Sequence, residues 1–304
     1  MAATILFVAA TLLALAHGSV ADLAPIDEAV LNFALNLEYL EANFYSCAAY
    51  GTPIDMNLWG SGGMPPMGCE KAKLSNKMAA VANEIAQDEI AHVKLLRAVL
   101  GDKAVPQPVV DIGMAFKNAA NAAASLAFNA TVTLEPDFSP YSGDVTFLHG
   151  AFIFEDVGAT AYAGAAALIV DKAYLTAAAQ ILSVESYHAG AVRYALGVEM
   201  ANDRAPFSKP MGDLRVRTVV QAISDLRDAV DGSSDIDQGV VVDAASKNSA
   251  SNIVPADANG LIYTRNTDQI LRIVYLGGYE KGGFFPQGLN GAIKVAAMPA
   301  KASH

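Results

Sequence analysis

The stretch Glu89-Ile90-Ala91-His92 is followed by Arg97, Leu100 and Gly101, and Glu185-Ser186-Tyr187-His188 is followed at the same intervals by Arg193, Leu196 and Gly197. Upstream, Glu38 has Tyr45 seven residues on, and Glu155 has Tyr162 seven residues on. The two halves thus share one order: Glu, Tyr, Glu-x-x-His, Arg, Leu-Gly. The chain has 11 Glu and 5 His in 304 residues. A Glu three places before a given His is therefore about a one-in-27 event, and it occurs twice with matching flanks.

The segments carrying these residues read as helices. Residues 74–100 and 173–197 are rich in Ala, Leu, Ile, Glu and Lys, lack internal Pro, and each ends in a Gly suited to a left-handed C-cap. Leu31 to Ala49 and Phe147 to Val170 are apolar, Pro-free and long. Ligands at one height on antiparallel neighbours lie equally far from the turn between them. For Glu155 and Glu185 the midpoint is 170, beside Asp171-Lys172; for Glu38 and Glu89 it falls between Gly63 and Met64, inside the Gly/Pro-rich stretch Thr52 to Cys69. Four long helices with two short-range turns follow.

On a helix, positions i and i+3 share a face, so each Glu-x-x-His aims a carboxylate and an imidazole at one point. Two such helices and two single-Glu helices bring together Glu38, Glu89, His92, Glu155, Glu185 and His188. Four carboxylates in an apolar bundle are prohibitively costly to ionise unless two divalent cations cancel their charge. The mixed oxygen and nitrogen donors suit iron or manganese, with zinc left open. Glu38 is preferred to Glu41 because only Glu38 matches the Glu-to-Tyr spacing; Glu41 shares its face and can contribute or substitute. Tyr45 and Tyr162 are candidates to hydrogen-bond the ligating carboxylates or pass electrons, with core packing an equal reading. Asp156 is either a carboxylate orienting a His or a surface residue. Arg97 and Arg193 should face away from the site and complement helix C-termini. His149 reads as structural, and His17 and His304 have no expected role.

Composition narrows the rest. Only 17% of residues are charged and Asp plus Glu outnumber Lys plus Arg by 31 to 20, so a phosphate-neutralising surface for nucleic acid is excluded. Residues Ile5 to Ala16 form an apolar run followed by small residues, too short to span a bilayer and suited to a secretory signal over 1–21, with an anchor or buried tail as the alternative. No later segment reads as a membrane span. Cys47 and Cys69, an even pair in an exported chain, point to a disulfide, against two buried thiols. On the chain-entropy view its loop would contribute about 3 kcal/mol. The expected organisation is a bundle over 22–200 and an extension over 201–304 packed on it, with short helices near 218–230 and 268–276. Residues 102–146 form a long connection with a helical stretch over Ala115 to Ala130.

The pattern is that of the ferritin-like superfamily, and the chain resembles the desiccation-related ferritin-like proteins of plants, algae and bacteria. The resemblance rests on Asn36-Leu37-Glu38-Tyr39-Leu40-Glu41-Ala42, Phe154-Glu155-Asp156-Val157-Gly158, Ala222-Ile223-Ser224-Asp225-Leu226-Arg227 and Ile270-Leu271-Arg272-Ile273-Val274-Tyr275. Some plant members lack the third-helix Glu and the last His, whereas Glu155 and His188 are present here. The resemblance implies an all-α, ferritin-like four-helix bundle with a long crossover between helices two and three and a C-terminal extension. It also implies a stress or desiccation role. The expected function is an exported protein with two iron or manganese ions that reacts with oxygen or peroxide. The alternative is a non-enzymatic protective bundle whose metal site is structural or vacant; iron storage would need a hollow shell that nothing in the sequence specifies.

Overall fold

The computed structural model describes residues 23–208, 214–232, 235–246 and 248–297. The expected leader over 1–21, His17 and His304 lie outside them. The described residues form seven α-helices and no strand: α1 (Pro25–Tyr50), α2 (Asn76–Leu100), α3 (Met114–Ala127), α4 (Asp144–Ala165), α5 (Lys172–Tyr194), α6 (Val216–Asp231) and α7 (Thr267–Val274). None of these is long and apolar enough to cross a membrane.

Residue patterns set which helix goes where. In α4, every residue from Thr146 to Tyr162 is buried, and α1 is buried almost continuously from Val30 to Ala48. Helices that are apolar all round must be covered on every side. By contrast, α2 buries a stripe through Met78, Ala82, Ile85, Glu89, His92, Val93 and Leu96, and α5 one through Ala178, Ile181, Glu185, His188 and Val192. These are amphipathic helices, each laid on one side of an apolar one. α1 packs chiefly along α2, and α4 along α5.

Local chemistry fixes the ends. Pro25 starts α1, where its missing N–H costs nothing. Ser75 accepts from the Met78 N–H and caps α2, and Asp171 accepts from the N–H groups of Ala173 and Tyr174 and caps α5. The α4–α5 turn therefore falls beside the midpoint expected from Glu155 and Glu185. Asp27 ties this turn to the start of α1 by accepting from the backbone of Val170 and Asp171 at 2.7 and 3.0 Å.

The connection from α1 to α2 is pinned by the Cys47–Cys69 disulfide. It also lies against the crossover, with the Met67 N–H donating to Val110 O and the Ile112 N–H to Met67 O. The approach is close enough that a Cβ on Gly68, at φ +81°, would sit 2.4 Å from the Gly113 Cα. Two glycines let the backbones touch.

Both expected left-handed caps are corrected. Gly101 ends α2 at φ 58° but ψ −125°, outside the left-handed helical region, and Gly197 has no positive φ: α5 continues past it as a π-turn over Ala195–Glu199. A Cβ on Gly197 would lie 2.9 Å from the Val240 carbonyl, so close packing of the C-terminal residues, rather than chain reversal, calls for glycine there.

Residues after α5 cover the outer faces of α1 and α4, and their core is continuous with the bundle's. Val216, Val220, Ile223, Ile270, Ile273, Phe284 and Phe285 belong to the same buried cluster as Phe44, Phe152 and Phe154. Polar groups also join the two. Arg193 of α5 is fully buried, pairs with Asp156 of α4 at 2.8 Å, and donates to the carbonyls of Gln238, Gly239, Asn252 and Ile253. Arg227 bridges Asp156 and Asp237, and Arg265 bridges Asp237 and Asp231. The expectation that Arg193 complements a helix terminus is replaced by this role. Five acceptors surround it, four of them carbonyls of loops far along the chain.

His149, in the second turn of α4, is fully buried, with the backbone of Val216 beside its ring. Burial pushes its pKa down to about 4. A proton on this ring is thus disfavoured in the folded state, and the stability it contributes is present above its unfolded value near 6.5 and lost as pH falls toward 4. His149→Leu should remove about 3 kcal/mol of the acid destabilisation between pH 7 and pH 4, read as the difference between the two proteins' urea midpoints across that range. Identical pH profiles would contradict it.

Candidate metal centre

Between the two helix pairs, six side chains converge: Glu38 from α1, Glu89 and His92 from α2, Glu155 from α4, and Glu185 and His188 from α5. The four carboxylates are at most 1% exposed, and the imidazoles 6–7%. They form two groups that share one member. One donor atom from each of Glu38, Glu89, His92 and Glu185 lies within 4.8 Å of the others, and the same holds for Glu89, Glu155 and His188. The His92 Nδ1 stands 3.3 Å from Glu38 Oε2, Glu89 Oε2 and Glu185 Oε1. The His188 Nδ1 stands 3.0 Å from Glu89 Oε1 and 3.7 Å from Glu155 Oε2. The two oxygens of Glu89 therefore face different imidazoles.

The two tyrosines cross between the halves. Tyr45 of α1 donates to Glu155 Oε1 on α4, and Tyr162 of α4 donates to Glu38 Oε1 on α1. Each Tyr follows the Glu of its own helix by two turns and fixes the Glu of the other. Both hydroxyls are held well above the ordinary tyrosine pKa by burial and by the adjacent carboxylates, so they are donors.

Glu41 lies within the bundle, buried, but outside both donor groups. Its place is set by Gly158, where a Cβ would come within 2.6 Å of Glu185 Oε2 and 3.3 Å of Glu41 Oε1. Burial, then Glu185 and the other carboxylates, hold the Glu41 pKa well above the usual carboxylate range. Asp156, weighed as a carboxylate that orients a His or as a surface residue, is neither: it is buried and engaged by Arg193 and Arg227. Sequence reasoning missed the carboxylate that does meet an imidazole, Asp88, whose Oδ2 lies 3.2 Å from His188 Nε2. The signal was the pair Asp88-Glu89 at the head of the first Glu-x-x-His; the second repeat has Val184 in that place.

Electrostatics make this cluster unstable as a set of free anions. Burial raises Glu155 to about 8 and Glu38 to about 7, partly offset by the neighbouring imidazoles, and raises Glu185 well above the usual range. Burial acts against charge on Glu89 too, but bonds from His188 and His92 outweigh it and bring that residue down to about 2. Burial opposes charge on the rings as well, yet the surrounding carboxylates raise His188 to about 10 and His92 further. The atoms Glu38 Oε2, Glu155 Oε2 and both Glu185 oxygens are buried without a hydrogen bond. Buried oxygens of this kind, grouped with imidazole nitrogens, are an arrangement that a metal cation would satisfy.

Comparison with known proteins gives one family. Residues 26–198 match the ferritin-like domain family. The chain is 29% identical over 282 residues to "Ferritin-like catalase Nec2" of Nesocodon mauritianus, covering 90% of this chain and 87% of that protein. It is 30% identical over 260 residues to "Desiccation-related protein PCC13-62" of Craterostigma plantagineum, covering 84% and 79% respectively.

Two outcomes are expected of this geometry. Divalent metal must displace protons from groups titrating near or above neutrality, so uptake at pH 7 should release protons and affinity should rise with pH through 7 to 8, measured by calorimetry in buffers of different ionisation enthalpy. Uptake without proton release would refute the cluster as the binding site. Asp88→Ala should weaken metal binding roughly 10- to 100-fold by freeing the His188 ring, in a competition assay against a chelator; an unchanged affinity would assign Asp88 to the surface.

Proposed function

The chain belongs to the ferritin-like domain family, and from that premise we propose that it is an exported protein holding two iron or manganese ions that reacts with oxygen or peroxide. The observation carrying this reading is Glu89, which belongs to both donor groups and whose two oxygens face different imidazoles. Glu38, His92 and Glu185 would hold one ion, and Glu155 and His188 the other. Bound iron or manganese would supply the one-electron steps that a small oxidant requires and that no side chain here provides.

The protein's own residues do the remainder. Tyr45 and Tyr162 each donate to one carboxylate oxygen and leave the second oxygen free, which sets how Glu155 and Glu38 point. Asp88 accepts from the outer nitrogen of His188 and leaves Nδ1 directed inward. The apolar walls from α1 and α4 exclude bulk water, so the carboxylates must be neutralised within the cluster rather than by solvent. A catalase name on one relative supports peroxide as the oxidant, and a desiccation-related name on another supports a stress role. Export is supported by the apolar run Ile5 to Ala16 and by the disulfide.

The desiccation-related relative also favours a second reading, in which the ions only staple four helices together. Elemental analysis should find near two iron or manganese ions per chain, and Glu89→Ala with His188→Ala should abolish them; unchanged metal in the double variant would refute the site. Metal-loaded protein should consume peroxide or oxygen. A protein that gains stability on loading, about 3 kcal/mol at a hundredfold excess over Kd, and shows no turnover would decide for the staple.

A further inference from the structure

A clasped surface loop ends α3. After Ala127 the chain reverses through Asn129, which stands at φ 47°. The Ala130 N–H donates to the Ser125 carbonyl at 3.1 Å and the Asn129 N–H to the Leu126 carbonyl at 3.2 Å, the paired bonds of a Schellman cap. Ser125 then closes the loop, its Oγ accepting from the Val132 N–H at 2.9 Å. Between these clasps, Asn129, Ala130 and Thr131 are all exposed.

Asn129-Ala130-Thr131 is the one Asn-x-Ser/Thr triplet in the 304 residues. In an exported chain such a triplet is the acceptor signal for an N-linked glycan. The turn by itself accounts for an asparagine, which tolerates positive φ. It accounts neither for the free amide nor for Thr131. Asn32, Asn36 and Asn43 direct their amides to backbone carbonyls and to Gln107 inside the protein. The Asn129 amide and the Thr131 hydroxyl have no hydrogen-bond partner among the described residues. Beside them Leu126 is 47% exposed and Phe128 36%, apolar side chains that a bulky, solubilising group would cover.

We propose that Asn129 is a glycosylation site, its Nδ2 receiving an oligosaccharide from a lipid-linked diphosphate donor. The bond formed joins Nδ2 to the anomeric carbon of the first sugar. The bond broken links that carbon to the diphosphate, which leaves with the electron pair, while the amide nitrogen gives up one proton. Nothing is oxidised or reduced. The inference rests on the export part of the proposed function, because donor and transferase act on chains entering the secretory route. The glycan would sit at the end of α3, outside the four helices that supply the six clustered side chains.

Peptide mass mapping of the full chain from its own cells should find one oligosaccharide on Asn129, removable by a peptide N-glycosidase that leaves a carboxylate in place of the amide. In a eukaryotic secretory host, Asn129→Gly and Thr131→Ala should each abolish the modification, and Thr131→Ser should retain it. Glycine keeps the left-handed turn, so Asn129→Gly separates the amide from its part in the cap. Should that variant fail to fold, Thr131→Ala, which lies beyond the cap, decides. A secreted chain with Asn129 bare overturns this inference alone, as does a glycan that survives Thr131→Ala. A chain kept inside the cell with residues 1–21 attached overturns export and this inference together. Neither result bears on whether the cluster holds metal.

Discussion

Four carboxylates and two imidazoles enclosed by apolar helices constitute the constraint to which the rest of this structure answers. At most 1% of any of the four carboxylates is exposed, so each must find its counter-charge inside the protein. The imidazoles provide part of it, the tyrosines provide hydrogen bonds, and several donor atoms remain unmatched. Holding such groups a few ångströms apart requires helices that cannot slide. α1 and α4 are locked because they are buried on all sides, and α2 and α5 because a single stripe of each is buried.

That burial explains the chain after α5. Two helices apolar all round cannot be covered by α2 and α5 alone, and α3, α6, α7 and the loops between them close the remaining faces. The fit is made by hydrophobic contact through Phe154, Ile273 and Phe284 and by the alternating arginine and aspartate side chains from Arg193 to Asp231. Replacing buried ion pairs by apolar groups is often neutral in stability, whereas losing one partner is not. The network therefore fixes how the outer layer seats on the bundle more than how tightly it binds.

The helices and the convergence of the six side chains were legible in the sequence because both follow from short-range periodicity. Three-residue spacing sets a common face, and equal distance from a turn sets a common height. What escaped was decided by partners distant along the chain. Arg97 and Arg193 occupy equivalent places in the repeat, yet Arg97 donates to the Tyr39 hydroxyl at 2.7 Å and Arg193 is enclosed by carbonyls from 45 to 60 positions away. Gly101 and Gly197 diverge in the same manner, one for its φ and the other for a neighbour's carbonyl. Asp88 has no counterpart in the second repeat, so comparison of the halves could not reveal it. Asp156 looked ambiguous because its two arginine partners sit on α5 and α6, and nothing in its own helix indicates them.

The crossed tyrosines make the two helical hairpins depend on one another. Tyr45 serves the glutamate of the second half and Tyr162 that of the first, so a single helical hairpin carries a donor with no acceptor and an acceptor with no donor. Loss of either tyrosine hydroxyl would leave a buried carboxylate of the opposite hairpin without its donor, so a change in one half is felt in the other.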